Sequence, residues 1–279
     1  MLRIVTDTGS DIPYLKGVEM GLEVIELDIR FDDLEYDYRN DPDFSVFYNN
    51  LTKSKNLPTT SQVTPGQYLD IFEDAKAKGE EVLAITLSSG LSGTYSSAIS
   101  AQEMCEYENI TVVDSKNCSI SQKLMVEHAL KLRDEGKSRA EIEEVLLDLK
   151  NRMGFIVILD TLTYLKKGGR VPPAMAFIGE ALSMKPILAL NEEGKAEPIK
   201  KVRGFESAKR GAFEHFDLTG YDENFPIYFG YTQNKERGES FMAEGKAKYG
   251  FKNCSVQSVG GVIGTHSGPN AVAIGYVKK

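Results

Sequence analysis

The sequence predicts an α/β fold built from two α/β domains, the first with a mainly parallel sheet and the second with a mixed sheet. Over the first half of the chain, short apolar or β-branched segments alternate with segments of helical spacing, which is typical of a parallel sheet covered by helices. In the second half, two apolar segments flank the turn Asn191-Glu192-Glu193-Gly194. This turn predicts a hairpin, and a hairpin joins antiparallel strands.

The first half is expected to contain strands at 2–6, 24–31, 82–87 and 110–113 and helices at 65–78, 95–104 and 119–135. Two helix starts carry specific local signals. Thr64 supplies an N-cap, and Pro65 follows it at the first helical position. Ser138-Arg139-Ala140-Glu141 is a capping box, which predicts a further helix that runs toward Lys150.

The second half is expected to contain strands at 155–159, 187–190, 196–202, 227–231, 255–259 and 271–277. The segment Asn151-Arg152-Met153-Gly154 separates the two alternating blocks. We therefore place the boundary there, with an N-terminal α/β domain at 1–153 and a C-terminal α/β domain at 154–279.

The composition excludes several function classes. The chain has 33 Lys and Arg against 41 Asp and Glu, so its formal charge of −8 provides no global basic field for nucleic acid. No apolar run approaches the roughly 18 residues of a membrane-spanning helix, and no secretory signal is recognisable. Cys105, Cys118 and Cys254 are odd in number and widely spaced, which argues against disulfides and a zinc site. We expect a cytoplasmic protein without an integral membrane segment, a nucleic-acid partner or a metal.

The loop Ser88-Ser89-Gly90-Leu91-Ser92-Gly93-Thr94 is the most informative polar segment. It lies between a predicted strand and a predicted helix, so it gathers hydroxyls and backbone N–H groups at the positive end of a helix dipole. This arrangement favours the binding of an anion. The nucleophile-elbow pattern Gly-x-Ser-x-Gly is incomplete because Thr94 takes the place of its last glycine, and the loop carries no P-loop pattern.

Three further polar segments could carry function. Asp7-Thr8-Gly9-Ser10-Asp11 is interpreted as a turn at the mouth of a cleft, because an aspartic protease needs two carboxylates that share a proton and this motif occurs once. Pro58-Thr59-Thr60-Ser61-Gln62, considered alone, is typical of a turn or cap. The segment 260–269 is expected to form a glycine-rich loop whose backbone approaches a ligand, with Thr265 and His266 as donors.

Together these segments resemble the DegV family of bacterial fatty-acid-binding proteins, and the resemblance covers nearly the whole chain. Each motif is short, but their order and spacing make the match specific. They are Thr6-Asp7 with Ser10-Asp11, Thr59-Thr60-Ser61-Gln62, Ser89-Gly90-Leu91-Ser92-Gly93-Thr94-Tyr95, Val113-Asp114-Ser115, Asp160-Thr161-Leu162, Leu165-Lys166-Lys167-Gly168-Gly169-Arg170, Lys185-Pro186-Ile187-Leu188 and Gly264-Thr265-His266-Ser267-Gly268-Pro269.

The resemblance implies a long-chain fatty acid buried in a cleft between the two domains, with no cofactor and no catalysis by this protein itself. It implies that the acid is presented to a separate ATP-dependent fatty-acid kinase, and that the acyl phosphate is retained for an acyltransferase of phospholipid synthesis. By the same resemblance, Arg170 and, more weakly, Arg203 would contact the kinase. The residues that would hold the carboxylate are Thr60, Ser61, Ser92, Gly93, Thr94, Thr265 and His266.

Elementary energetics is compatible with this mechanism. An acyl chain of about 16 carbons gains on the order of 12 kcal/mol on burial, at ~0.8 kcal/mol per methylene and before ordering costs. A carboxylate removed from water costs several kcal/mol unless donors are supplied. Hydroxyls and a helix N-terminus supply such donors without a full opposite charge, and they also suit an acyl phosphate.

Two alternatives from other classes remain open from the residues alone. A serine hydrolase could use Ser92 with His266 and an acidic partner, either Asp7 or Asp114, because serine precedes histidine in an α/β pattern. A binding module for a small anion or a nucleotide, without a lipid tail, would use the same serine-glycine loop.

Overall fold

The computed structural model describes residues 1–32, 36–172 and 183–279. Within these residues the backbone forms a sheet of four strands, a sheet of six strands and a separate two-stranded ribbon. The four-stranded sheet is parallel and the six-stranded sheet is mixed, which confirms the predicted fold class. No helix in the described ranges combines the length and the apolar character needed to cross a bilayer.

The first half of the chain contributes the four-stranded sheet, the ribbon and the helices between their strands. The sheet has the strand order β2-β1-β5-β6, and the ribbon pairs β3 with β4. The elements are β1 Leu2–Asp7, α1 Tyr14–Glu19, β2 Leu22–Ile25, β3 Ile29–Arg30, α2 Ser45–Lys53, β4 Thr59–Thr60, α3 Pro65–Lys78, β5 Glu81–Thr86, α4 Thr94–Cys105, β6 Ile110–Asp114, α5 Ser119–Asp134 and α6 Arg139–Arg152.

Helices cover both faces of this sheet. Successive strand residues point to opposite faces, so neighbours along β1 belong to different layers of the core. Val5 packs in the layer that contains α3 and α4, whereas Ile4 packs in the layer that contains α5 and α6. The sheet is therefore buried on both sides, as its unbroken apolar strands require.

The second half contributes the six-stranded sheet, with the strand order β11-β10-β12-β7-β8-β9. Strands β8 and β9 are antiparallel, which confirms the predicted hairpin. Helices α8 and α9 pack on one face through an aromatic cluster that includes Phe213, Phe216 and Phe241. The elements are β7 Met153–Ile158, α7 Thr163–Gly168, β8 Met184–Leu190, β9 Ala196–Arg203, α8 Phe205–Thr219, β10 Ile227–Tyr231, α9 Lys235–Tyr249, β11 Cys254–Ser258, α10 Gly261–Ser267 and β12 Val272–Val277.

Helix α5 lies between the two sheets. It contacts β1 of the first sheet and β7, β10 and β12 of the second. The Ser121 hydroxyl donates to the Gly154 carbonyl at 2.9 Å, and a Cβ at Gly275 would stand only 2.7 Å from the same hydroxyl.

The boundary that we proposed near residues 151–154 lies where α6 ends and β7 begins, and the division into 1–153 and 154–279 stays a prediction.

The single strand expected at 24–31 is wrong. The chain forms β2 in the parallel sheet and then β3 in the ribbon, with residues 26–28 between them. The Leu27 N–H donates to the Thr8 hydroxyl at 3.0 Å, so this backbone group bonds to the turn after β1 instead of continuing the ladder. Leu27 is buried there, which bends the chain out of the first sheet.

The glycine-rich loop expected at 260–269 is also wrong, because residues Gly261–Ser267 form helix α10. Its glycines permit close helix packing. A Cβ at Gly264 would stand 2.7 Å from the Phe47 ring and 2.8 Å from the Tyr48 hydroxyl, both on α2. The Tyr48 hydroxyl donates to the Val259 carbonyl at 2.9 Å and fixes the start of this segment.

The two helix starts predicted from local signals are confirmed. The Thr64 hydroxyl accepts from the Gln67 N–H at 3.3 Å, and Pro65 opens α3. The Ser138 hydroxyl accepts from the Glu141 N–H at 3.4 Å, and the Glu141 carboxylate accepts in return from the Ser138 N–H at 2.9 Å. Each pair satisfies backbone donors that a helix leaves free at its first turn.

Candidate functional site

An apolar cavity lies between the second sheet and the loops at the edge of the first. Phe155, Val157 and Leu159 alternate along β7 and its end, so they share one face of the sheet and form a wall about 13 Å long. The empty volume is about 770 Å³, measured out to the mouth. Its described lining residues are Leu27, Thr60, Ser61, Gln62, Leu87, Leu91, Ser92, Cys118, Phe155, Val157, Leu159, Leu165, Arg170, Leu188, Ala189, Leu190, Ala196, Val262, Ile263, His266 and Ser267.

The polar side chains that line this cavity come from separate elements. Thr60 lies on β4, Ser92 lies in the loop before α4, and His266 lies on α10. The Thr60 hydroxyl and the His266 Nε2 are 2.9 Å apart. Residues that are more than 200 positions apart in the chain are thus brought into one hydrogen-bonded group.

The His266 ring is neutral at physiological pH, because burial, helped by the Arg170 charge, lowers its pKa to about 4. When the neutral ring carries its proton on Nε2, it donates to Thr60, and the Thr60 hydrogen is free for a ligand. The His266 Nδ1 is buried and bonds to no described residue. A Cβ at Gly168 would overlap this ring, so α7 and α10 approach each other closely here.

Ser92 is oriented by a chain of hydrogen bonds. The Val63 N–H donates to the Thr94 hydroxyl at 3.3 Å, and the hydroxyls of Thr94 and Ser92 are 2.9 Å apart. If Thr94 donates in that pair, the Ser92 hydrogen is left free for an acceptor in the cavity. Thr94 then acts by orienting Ser92, and it is not itself among the lining residues.

Two other predicted site residues, Gly93 and Thr265, are not among the described lining residues of the cavity. The Thr265 hydroxyl donates to the Gly261 carbonyl at 2.8 Å, within its own helix. Gly93 packs against Gln62, since a Cβ there would stand 2.7 Å from the Gln62 Cδ. Ser61 lines the cavity, and its hydroxyl is 3.3 Å from the Asp28 carboxylate. The structure thus brings together Thr60, Ser61, Ser92 and His266, and their role as a carboxylate seat stays a prediction.

Two aspartates hold the serine-glycine loop from either side. The Asp7 carboxylate accepts from the Leu87 N–H at 2.7 Å, and the Asp114 carboxylate accepts from the Ser89 N–H at 3.1 Å. Burial raises the pKa of Asp7 to about 6, although hydrogen bonds oppose that shift. Asp7 is the last residue of β1 and Asp114 is the last residue of β6, and both support the loop.

The loop is also fixed to the second sheet. The Ser88 hydroxyl donates to the Gly194 carbonyl of the β8–β9 hairpin at 2.8 Å. Gly194 has φ +71°, and a Cβ there would stand 2.9 Å from the Lys116 carbonyl, so only glycine fits this turn. A Cβ at Gly90 would stand 2.6 Å from the Glu193 carbonyl. The hairpin therefore packs directly against the loop that carries Ser92.

The two arginines singled out from the sequence lie in different places. Arg170 lines the cavity, where its Nε donates to the Leu91 carbonyl at 3.0 Å and its guanidinium also bonds the Gly168 carbonyl. Arg203 is the exposed last residue of β9. Contact of either one with a kinase stays a prediction.

The sequence did not indicate that Arg170 belongs to the cavity wall. Its position depends on how α7 packs against the loop at Leu91, which is a long-range contact. The apolar wall was missed as well, although the alternation Phe155-Val157-Leu159 was a usable signal.

A hydrolase triad is not assembled. The Ser92 hydroxyl bonds Thr94, and the His266 Nε2 bonds Thr60. Both proposed acids bond the loop at residues 87–89, and no described carboxylate bonds His266 Nδ1. Nucleophilic catalysis requires a base within hydrogen-bond reach and a group that orients it. In the same described ranges, no three His, Cys, Asp or Glu side chains are grouped so that they could hold a metal ion.

Comparison with known proteins identifies close structural relatives. A family model described as "Uncharacterised protein, DegV family" matches residues 1–279. A DegV domain-containing protein of Caldanaerobacter subterraneus subsp. tengcongensis is 33% identical over 279 residues, which cover 100% of this chain and 99% of that protein. The crystal structure of DegV from Bacillus subtilis, described as a fatty acid binding protein, matches with a TM-score of 0.83 and 31% identity, covering 100% of this chain and 99% of that one. A structure described as fatty acid binding of a DegV family protein from Thermus thermophilus has a TM-score of 0.85 and 28% identity, with 99% of each chain covered.

Proposed function

Because the family model matches the whole chain, this protein belongs to the DegV family, and we propose that it binds a long-chain fatty acid in the cavity between its two sheets. The observation that carries the proposal is the uneven distribution of polarity in the cavity wall. Leucine, valine, alanine and phenylalanine side chains form most of the wall, whereas the hydroxyls, the imidazole and the guanidinium come from a few segments. A ligand with a long apolar tail and one anionic end matches this wall.

The apolar wall supplies most of the binding energy in this proposal. Burial of a chain of about 16 carbons gains on the order of 12 kcal/mol before ordering costs. The fatty acid binding described for the relatives from Bacillus subtilis and Thermus thermophilus supports the same assignment for this chain.

The polar segments supply the seat for the carboxylate. Thr60 and Ser92 each have a hydrogen that their own partners leave free in the arrangement given above. Neutral donors favour the ionised carboxylate without fixing it as strongly as a buried ion pair would. We place the carboxylate between Thr60, Ser92 and His266.

We extend the proposal to the fate of the bound acid. A separate ATP-dependent kinase would phosphorylate the carboxylate, and the protein would retain the acyl phosphate for an acyltransferase. The position of Arg170 in the wall supports this extension, because a guanidinium matches the added charge of a phosphate group. Docking of the kinase at Arg170 and Arg203 belongs to the same proposal.

Native mass spectrometry of the purified protein, followed by denaturing extraction and lipid analysis, tests the ligand class. We expect one long-chain fatty acid per chain. If only a polar phosphate compound is extracted, the ligand class is wrong. If the protein is recovered without ligand and then fails to bind added palmitate and oleate, the proposal is also wrong.

Ser92→Ala removes a hydrogen bond to the carboxylate, and His266→Ala removes the ring that orients the Thr60 hydroxyl toward it. Each is expected to weaken fatty-acid binding by roughly 10-fold, because a hydrogen bond to a charged group contributes about 1.5–3 kcal/mol. Ser96→Ala is the matched control, since Ser96 is exposed on the first turn of the same helix, α4. Titration of a fluorescent fatty acid gives the affinities, and thermal unfolding verifies the fold. Affinities equal to that of Ser96→Ala in both site variants would contradict this seat.

A further inference from the structure

A second cleft lies at the seam between the two halves of the chain, and among the described lining residues it shares only Leu190 with the apolar cavity. One side is formed by the loop after β6 and the end of α6, and the other by the β8–β9 hairpin and the end of β12. The cleft has an empty volume of about 870 Å³, which includes space open to solvent. Its described lining residues are Lys116, Asn117, Lys150, Asn151, Met153, Leu190, Asn191, Glu192 and Lys278.

Positive charge exceeds negative charge in this cleft, although the protein as a whole carries −8. Lys116 is paired with Asp114 at 3.4 Å. Lys150 and Lys278 form no ion pair with any described residue, and Glu192 is the single carboxylate among the described lining residues. The described lining therefore carries more ammonium groups than carboxylates, and Glu192 offsets only part of this excess.

Lys278 is the most informative of these cations. It is partly buried, and burial lowers its pKa, with only partial compensation from Glu192. Its backbone N–H donates to the Arg152 carbonyl at 2.7 Å, which holds this residue beside the end of α6. A desolvated ammonium without a partner is unfavourable unless an anion occupies the site.

Ordinary structural roles account for only part of the cluster. Lys150 lies in the last turn of α6, where a cation stabilises the negative end of the helix dipole. That role does not explain Lys278, which follows a strand, or Lys116, which lies in the loop after β6. The three cations belong to three separate elements that converge on one concave surface.

We infer that this cleft is a second ligand site, which binds a phosphate-bearing anion between Lys116, Lys150 and Lys278. Lysine ammonium groups bind phosphate as point charges, and several of them around a concave surface match a group with more than one negative charge. The amides of Asn117 and Asn151 add polar surface to the same walls. Such a ligand would bridge the two halves of the chain.

The second site shares a wall with the fatty-acid cavity. Leu190, at the end of β8, lines both spaces. The hairpin that begins there is also fixed to the serine-glycine loop through Ser88 and Gly194. An anion bound in the cleft therefore contacts the same hairpin that closes the lipid cavity.

Isothermal titration calorimetry of the full-length protein with inorganic pyrophosphate tests the site. We expect saturable binding at one site, weakened about 10-fold by Lys278→Ala, because a hydrogen bond to a charged group changes binding by this order. Glu192→Gln is expected to tighten binding, since it removes the opposing charge. Lys195→Ala is the matched control, because Lys195 lies on the same hairpin but is exposed and paired with Glu193.

Absence of saturable binding would overturn the inference, and so would equal affinity in Lys278→Ala and Lys195→Ala. A parallel titration with glycerol 3-phosphate separates a phospholipid headgroup from a free phosphate compound. Lys278-dependent binding of either compound supports the site. The compound that binds more tightly indicates whether the natural ligand is a phospholipid headgroup or a free phosphate compound. Because the probes are water-soluble and lack an acyl chain, failure here leaves the fatty-acid proposal intact, and lipid extraction tests that proposal separately.

Discussion

Gly168→Ala is expected to reduce fatty-acid affinity by about 10-fold while the protein stays folded, which corresponds to about 1.4 kcal/mol and equals the loss expected for His266→Ala. A Cβ at position 168 would stand 2.6 Å from the His266 Cε1 and closer still to Nδ1. Because His266 is packed between α7 and Thr60, the ring must move or α7 must shift. Either response separates the imidazole from the hydroxyl that it orients.

The backbone conformation at Gly168 gives no reason for a loss of fatty-acid affinity. Gly168 is the last residue of α7 and has no positive φ, so alanine fits its conformation and even favours helix. Gly66→Ala is the control, since Gly66 lies in the first turn of α3 and a Cβ there would contact only Thr64, at 3.9 Å. Both variants add one methyl group to a helical glycine, and the affinities are compared by titration of a fluorescent fatty acid.

The outcome separates two explanations for the close contact of α7 and α10. A large loss of affinity at unchanged thermal stability indicates that the contact serves the ligand site. Equal affinity in Gly168→Ala and Gly66→Ala would show that the His266 position is not needed for binding. A loss of stability without a loss of affinity would assign the contact to folding alone.

The sequence predicts most reliably the features that depend on neighbours in the chain. The caps at Thr64 and Ser138 are confirmed because both partners lie within three residues. The strand expected at 24–31 fails because the Leu27 N–H bonds to Thr8, far outside any local window. Apolar periodicity contains no information about that bond.

The candidate site shows the same difference between features that depend on chain neighbours and features that depend on distant residues. Only the family resemblance points to Thr60, Ser92 and His266 together, since each motif alone is weak. The glycines of α10 predict a ligand loop by composition, whereas in the structure they permit contact with Phe47 of α2, more than 200 residues away. The tertiary partner decides whether a glycine serves a turn, a ligand or a packed helix, and a single sequence does not name that partner.

Asp11→Ala is expected to lower the free energy of unfolding by about 4 kcal/mol, the largest loss of stability among the changes considered. The Asp11 carboxylate accepts from the Gly260 N–H at 2.8 Å and from the Ser119 hydroxyl. Gly260 precedes α10 and Ser119 begins α5, so one buried carboxylate holds the starts of both helices. Alanine would leave both buried donors without a partner, and it is strained at the φ of +55° that Asp11 adopts.

Asp11→Asn is the matched variant that keeps the shape of the side chain. Asparagine tolerates a positive φ, its carbonyl can accept from Gly260, and its amide can donate to the Ser119 hydroxyl. We therefore expect it to lose only about 1 kcal/mol, measured by urea unfolding. Equal losses in the two variants would contradict the assignment, because they would mean that the hydrogen bonds of Asp11 contribute little beyond its charge.

The pH dependence tests the same carboxylate independently. Burial raises the Asp11 pKa from 3.8 to about 7, against the effect of its hydrogen bonds. A raised pKa means that the folded state holds this proton more tightly than the unfolded state does. This contribution to the free energy of unfolding is fully present below the pKa that Asp11 has in the unfolded chain. It is lost as the pH rises through the pKa that Asp11 has in the folded protein. His266, whose pKa is lowered to about 4, changes stability in the opposite direction, so the two effects overlap in the wild-type protein.

Comparison with Asp11→Asn removes that overlap, because the histidines are common to both proteins and asparagine does not titrate. The stability of the wild type relative to Asp11→Asn should be greatest near pH 4 and should decrease toward pH 7. Asp7, with a pKa of about 6, is also present in both proteins and cancels in the same way. A difference in unfolding free energy that stays constant or increases over this range would show that Asp11 is ionised in the folded protein. The starts of α10 and α5 would then be held by a buried carboxylate ion instead of a protonated carboxyl group.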